Sequence, residues 1–273
     1  MTLSEYYGLP DGLEIKLKAN SFWDNIDIPY VTNMSKAFYY CVNTVIKMRD
    51  TSNVTDMNQM FSNCQNLKKL NLFDTSNVTN MNNMFKNCSS LETIPLLDTS
   101  NVTDMGRMFE KSGIKTLPQL NTSNVTDMGG MFNSCGNLET LPELDTRNVT
   151  NMQEMFSNYG GLQNLKSLPK FNVPKLTNIS RLFYTNTVTV TNLTEVGGWE
   201  NIKCNWNDNG GLACLPNLTY QSCINILNGL YDFTGNGETP TSSQGKLKVH
   251  KNFLDLVGDE ISIGTDKGWQ VSA

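Results

Sequence analysis

This sequence predicts a strand-rich α/β fold in which short rungs stack into a parallel β ladder, closed by capping segments. Two observations carry the expectation. A phenylalanine returns at Phe38, Phe61, Phe85, Phe109, Phe132, Phe156 and Phe183, at spacings of 23 to 27 residues. Around each lies one phrase, clearest as Asp50-Thr51-Ser52-Asn53-Val54-Thr55-Asp56-Met57 followed by Met60-Phe61 and Cys64. A period of this length marks a solenoid, because so short a unit encloses its apolar face only by stacking on the next.

Residues 1–27 read as an N-terminal cap or attachment segment, with an alternating strand signal at Gly12 to Leu17 and Trp23 beyond it. Residues 28–184 hold about seven rungs. In the unit from Leu67 to Phe85, Leu67-x-x-Leu70-x-Leu72 has leucine-rich-repeat strand spacing, and two-residue alternation predicts that Leu70 and Leu72 share the core face. The spacing returns as Leu91, Ile94, Leu96 and, one residue looser, as Leu138, Leu141, Leu144; a shorter version is Ile114 to Leu117. Asp-Thr-Ser-Asn then predicts a turn held by short polar side chains. Val78, Met81, Met84 and Phe85 should point inward, through a short strand and a tight helical turn at Met-Phe. A Met and Phe stack is a suitable spine for a narrow core.

From about Thr185 the composition changes, and residues 185–273 read as a divergent helix–strand cap. Leu218 to Tyr231 carries apolar residues at helical spacing behind Thr219, a good N-cap. Gly235 to Gly245 is a polar loop, Lys246 to Val249 a strand, Phe253 to Val257 a second short helix, and Trp269 to Val271 a terminal strand. Together these elements give a leucine-rich-repeat solenoid with caps.

Twenty-one basic against 26 acidic residues, with no basic cluster, argue against nucleic acid as a partner. No run reaches the ~18 apolar residues that span a bilayer, so membrane insertion is not expected. Met1 to Tyr7 lacks a basic and apolar leader pattern, and no signal peptide is expected. Cys41, Cys64, Cys88 and Cys135 each follow the repeat phenylalanine by three residues, where Ser112 and Tyr159 stand in other rungs. Such a column reads as small buried groups rather than bridges. Cys204, Cys214 and Cys223 lie outside the register.

The phrase Asn53-Val54-Thr55-Asp56-Met57 with Met60-Phe61 and Cys64, recurring over residues 28 to 184, resembles the BspA-like leucine-rich-repeat proteins, in the variety first noted in mycoplasma surface lipoproteins. The ending Lys267-Gly268-Trp269 is similar to tails that follow such arrays. The resemblance implies bacterial surface molecules involved in adhesion, and similar arrays in phages of gut bacteria. Unlike secreted members, this chain shows neither a leader nor a lipobox-like cysteine near its start.

Chemistry of the enzymatic kind finds little support. His250 is the one histidine, in a solvated Lys248-Val249-His250-Lys251 stretch, and no nucleophile–base set, phosphate loop or HExxH motif is present. Zinc held by Cys204, Cys214, Cys223 and His250 lacks a CxxC pair. Asp50, Asp74, Asp98 and Asp145 form one column with Asn121, while Asp56, Asp104 and Asp127 alternate with Asn80 and Asn151 in another. Turn capping accounts for both better than a row of calcium ions. The threonine column Thr55, Thr79, Thr103, Thr126 and Thr150 is too close to aspartates for an ice-binding face, and the Asn-x-Thr sequons would crowd their glycans.

The sequence therefore predicts a non-enzymatic binding or display module without cofactor or metal. Its partner would be a protein or glycan on a host or cell surface, with other virion proteins as neighbours. Of the two carriers, a phage virion component (tail fibre or head decoration) is favoured over a bacterial cell-surface adhesin. Candidate contacts are the polar strand-face positions Lys69, Asn71, Glu92, Lys115 and Glu139.

Overall fold

The computed structural model describes residues 30–48, 50–157, 163–185, 192–206, 212, 215–242 and 244–273. The proposed cap at 1–27, Tyr159 and Cys214 lie outside them.

Successive rungs are bonded most regularly through the Met–Phe half of the phrase. The amides of Met34, Lys36, Phe38 and Tyr40 donate to the carbonyls of Asp56, Asn58, Met60 and Ser62 at 2.8–3.0 Å. Those of Met57, Gln59, Phe61 and Asn63 donate in turn to Asn80, Asn82, Met84 and Lys86. Bonding at every second residue is the pattern of a parallel ladder, and parallel bridges run Asn33, Asp56, Asn80, Asp104, Asp127, Asn151, Asn178.

The helical turn expected at Met-Phe is not formed. Two β-turns replace it in the rungs of Phe38 to Phe132, closed in that of Phe61 by Met60 N–H to Met57 C=O and Cys64 N–H to Phe61 C=O, with Gln59 at φ 55° and Asn63 at φ 63°. Positive φ at the third position is the signature of a type II turn. An α-helix would direct every amide back along its own segment, whereas here alternate amides reach the neighbouring rung. Left-handed backbone recurs at Asn83 and Asn87, Arg107 and Lys111, and Gly130 and Ser134. Asparagine tolerates this region better than most residues, and Gly130 adopts it without steric cost.

The inward residues behave as predicted. Val78, Met81, Met84, Phe85 and Cys88 are fully buried, and so are their counterparts in the neighbouring rungs. The seven phenylalanines form one column of near-parallel rings, with centroids 5.2–5.8 Å apart and interplanar angles of 0–15°. Aromatic pairs of this kind add about 0.5–1.5 kcal/mol beyond area burial. Trp206 continues the column beyond Phe183 at 6.5 Å.

The leucine half is looser than expected. Regular pairing is confined to two-residue strands: β1 (Val45–Ile46) with β2 (Lys69–Leu70), and β3 (Ser167–Leu168) with β5 (Glu195–Val196). Next to the latter, β4 (Phe171–Asn172) pairs β6 (Trp199–Glu200). Elsewhere single bonds such as Lys115 N–H to Glu92 C=O and Glu139 N–H to Lys115 C=O link the rungs. Pro95, Pro118 and Pro142 occupy the centre of this half in successive rungs, where each removes an amide and restricts φ. Alternation fails in these rungs and also in the rung of Leu72, where Asn71 stands at the proline position. Leu70 packs on the core, but Leu72 and Leu96 are 67% and 61% exposed, and the following Phe73 and Leu97 turn inward instead.

The C-terminal elements match their sequence signals. Helix α1 (Tyr220–Gly229) is capped by the Thr219 side chain, which accepts from the Ser222 amide. Strand β7 (Lys246–Lys248) pairs in parallel with β8 (Gln270–Ser272). Helix α2 (Lys251–Val257) is capped by His250, whose Nδ1 accepts from the Asn252 amide; that contact gives the histidine a structural use that solvation alone did not imply. A 3₁₀ turn (Gly258–Ile261) and α3 (Ser262–Thr265) follow. The Lys-Gly-Trp ending closes this unit. Lys267 Nζ donates to the Leu227, Asn228 and Leu230 carbonyls at the end of α1, Gly268 takes φ 87°, and Trp269 Nε1 donates to Tyr231 C=O. Among the described residues no helix is long and apolar enough to cross a membrane.

Candidate binding surface

Stacking repeats each side chain at rung spacing, so the surface is a set of columns. Along the leucine half Lys68, Glu92, Lys115, Glu139 and Lys166 hold equivalent places in successive rungs, and backbone bonds link Glu92, Lys115 and Glu139. Their charges alternate, and Lys115 Nζ lies 2.9 Å from Glu92 Oε1. Exposed pairs of this kind contribute at most about 1 kcal/mol, so the column sets a pattern of charge more than it sets stability. Glu92, Lys115 and Glu139 thus fall together. Lys69 is exposed in the adjoining column, beside Thr93, Thr116 and Thr140. Asn71 is committed elsewhere: its amide accepts from Met48 N–H and donates to the Met48 and Leu72 carbonyls.

Both aspartate columns cap turns. Asp50, Asp74 and Asp98 accept from the amides of Ser52, Ser76 and Ser100. Asp56, Asp104 and Asp127 accept from Asn58, Gly106 and Gly129. The Ser100 amide and hydroxyl hold the Asp98 carboxyl below its ordinary range, and hydrogen bonds from Arg147 do the same for Asp145. Repulsion along the second column is relieved by interleaved amides, since Asn82 Nδ2 donates to Asp104 and Asn151 Nδ2 to Asp127 at 3.1–3.2 Å. The exposed threonines form a chain in which Thr79 Oγ1 donates to Thr55 C=O, Thr103 to Thr79 and Thr126 to Thr103. Beside them Asn77, Asn101 and Asn124 donate to serine carbonyls one rung back at 2.7 Å.

The six described cysteines are buried and free of disulfides. They do more than fill space. Cys64, Cys88 and Cys135 Sγ each donate to the carbonyl of the preceding rung's Phe38, Phe61 and Phe109 at 2.9–3.1 Å. Ser112 stands in the same column and supplies another small hydroxyl donor. Burial pushes Cys88, Cys135 and Cys204 up to about 12 and Cys223 up to about 11, opposite to the depressed value of a thiol nucleophile.

Sequence reasoning missed an apolar concavity on the leucine half of the rungs. A shallow groove of about 750 Å³ runs past Met48, Leu72, Phe73, Leu96 and Leu97, with Asp74 and Asp98 along one side. It continues over Gln119 toward Glu143 and Asp145. The signal was present in the repeats themselves: Phe73, Leu97, Leu120, Leu144 and Phe171 are always apolar, whereas the preceding residue runs Leu72, Leu96, Gln119, Glu143, Lys170. The variable position faces out.

Stacked repeats with parallel inter-rung bonding and leucine-spaced strands define a protein of the leucine-rich-repeat class. The model of the family described as "Mycoplasma protein of unknown function, DUF285" matches residues 14–115 and 112–205. The chain belongs to that family, within the BspA-like group that the repeat phrase resembles. A crystal structure of a leucine-rich repeat protein from Bacteroides ovatus is similar at 18% identity and a TM-score of 0.41, over 81% of this chain. The similar region spans 59% of that protein's length. No curated protein matches the chain.

Proposed function

We propose that this chain is a non-enzymatic binding module displayed at a surface, as a phage virion component (tail fibre or head decoration) that touches a protein or glycan on the host. A bacterial cell-surface adhesin of the BspA-like type is the alternative carrier. The observation that supports a binding role is the division of labour within each rung. The Met–Phe half is filled by packing and ladder bonds, while the other faces offer ordered columns whose residue types vary, such as Leu72, Leu96, Gln119 and Glu143. A frame that holds its core constant and varies its surface by rung suits extended recognition.

Two features support the absence of catalysis. The thiols of Cys88, Cys135, Cys204 and Cys223 are raised; that of Cys41, lowered to about 6 by its hydrogen bond with Cys64, is buried; and the described aspartates of both columns hold the chain's own turns. Free buried cysteines are also in keeping with assembly in a reducing compartment, where virion proteins are made.

Protein and glycan arrays probed with the multimerised chain test the binding role. Reproducible hits are expected, and a blank array at high avidity would refute it. Antibody labelling separates the carriers: signal on purified particles assigns the virion, and signal on uninfected cells encoding the protein assigns the adhesin.

A further inference from the structure

We propose that the groove over Leu72 and Leu96 is the recognition site for an extended peptide segment of a partner protein, one that presents apolar side chains flanked by lysine or arginine. The proposal rests on the binding role above and names its partner chemistry.

The leucines are not there for the fold. In the same column, in the next two rungs after Leu96, Gln119 and Glu143 occupy the equivalent places. Register is fixed by the adjacent threonines, since Thr75, Thr99 and Thr122 donate to the carbonyls of Asp98, Asn121 and Asp145 at 2.8–2.9 Å. A polar side chain therefore serves this position, yet two successive rungs place leucines there more than 60% exposed. Phe73 and Leu97 form the floor beneath them.

Among the described residues the lining contains two carboxylates, Asp74 and Asp98, and no cationic side chain. Each carboxylate takes its serine donors on Oδ1, leaving Oδ2 toward solvent. Asp98 is held ionised by those bonds. An apolar floor with an anionic rim complements a cationic, apolar chain. No amide from Leu96 to Asp98 donates to a neighbouring rung, although the Asp98 carbonyl is taken by Thr75; amides not used by the ladder are what grooves for extended segments offer. The exposed leucines offer no aromatic face on which a sugar ring would stack, and Phe73 beneath them is buried, which favours peptide over glycan.

Neighbouring rungs also supply the control substitutions. Leu72→Gln with Leu96→Gln copies Gln119, and Asp74→Asn with Asp98→Asn copies Asn121, which accepts from Ser123 N–H as the aspartates do from their serines. The test is fluorescence anisotropy of the full chain with a short labelled peptide of alternating leucine and lysine, against an alternating leucine and glutamate control. The lysine peptide is expected to bind and the glutamate peptide to bind at least tenfold more weakly. The double leucine variant should lose at least tenfold, and the double aspartate variant should lose most of the dependence on salt, with both keeping the wild-type melting temperature. Equal binding of the two peptides, or of wild type and the leucine variant, overturns the proposal. If an array-selected ligand binds wild type and the leucine variant alike, the groove is wrong and the module reading stands. A blank array removes both.

Discussion

The two halves of each rung are built on opposite terms. In the Met–Phe half, alternate amides bond to the next rung from Met34 through Phe156, and the side chains beneath are nearly invariant. In the leucine half, prolines at 95, 118 and 142 thin the backbone bonding, and the outward residue changes from rung to rung. The contrast teaches that rigidity and variation are separated within a unit of two dozen residues. One half sets the spacing, and the other is free to change what it presents.

Four measurements break or sharpen that contrast. The largest effect belongs to the ring column: Phe109→Ala should cost about 3–5 kcal/mol, because the cavity lies between two stacked rings and cannot collapse without moving both rungs. Chemical denaturation checks this, and a loss under about 1 kcal/mol would show that the column does not hold the stack.

Next comes the alkaline limb. Thiols that ionise near 9 when unfolded but are pushed up to about 12 at Cys88 and Cys135 leave the native state holding more protons than the unfolded one. Stability is then full below pH 9 and falls between about 9 and 12, on the order of 1 kcal/mol per buried thiol for the first pH unit. Denaturation at pH 8 and pH 10 measures the fall, and Cys88→Ser should reduce it.

A smaller, stabilising effect is expected from Lys111→Gly. Lys111 adopts φ 56°, the left-handed region that Gly130 fills naturally elsewhere, so relief of backbone strain should raise stability by up to about 1 kcal/mol. An unchanged or lowered melting temperature would mean that the turn bears no strain. The smallest effect is Leu96→Gln, within about 0.5 kcal/mol in either direction. A large loss there would erase the distinction between the halves, since it would make the exposed leucine part of the core.

Most of the architecture was legible in the sequence because it depends on repetition. The phenylalanine period located the buried column, and Thr219, Lys246 to Val249 and Phe253 to Val257 announced the C-terminal elements. Two features were misread for a physical reason. Alternation assigns faces only where a strand stays paired along its edges; Pro95 suppresses that pairing at Leu96, and in the rung of Leu72 the pairing stops at Leu70, with Asn71 bonding the Met48 backbone, so both leucines emerged on the outside. The helical spacing of Met81, Met84 and Phe85 equally describes two consecutive type II turns, and only the repeated asparagines at positive φ, Asn83 and Asn87, hinted at the second. The groove was invisible to composition because it arises from which leucine faces outward. The strand-face candidates fared unevenly: Glu92 and Lys115 pair with each other, Glu139 joins their column, Lys69 lies beside it, and Asn71 braces the backbone at Met48.

The turn that links the two halves has the same four residues, Asp-Thr-Ser-Asn, at Asp74 to Asn77 and at Asp98 to Asn101. Excision from Thr75 through Asp98 would join Asp74 to Thr99 and recreate the phrase without a seam. Phe61 would then meet Phe109 as it now meets Phe85, and the thiol of Cys64 would have a serine above it in place of a cysteine. One such event would shorten the molecule by a single storey and, by deleting Leu96, set Leu72 beside Gln119. Loss or duplication of a rung is thus a mutation that the fold absorbs and the surface registers, and it lets the presented columns change without passing through an unfolded ancestor.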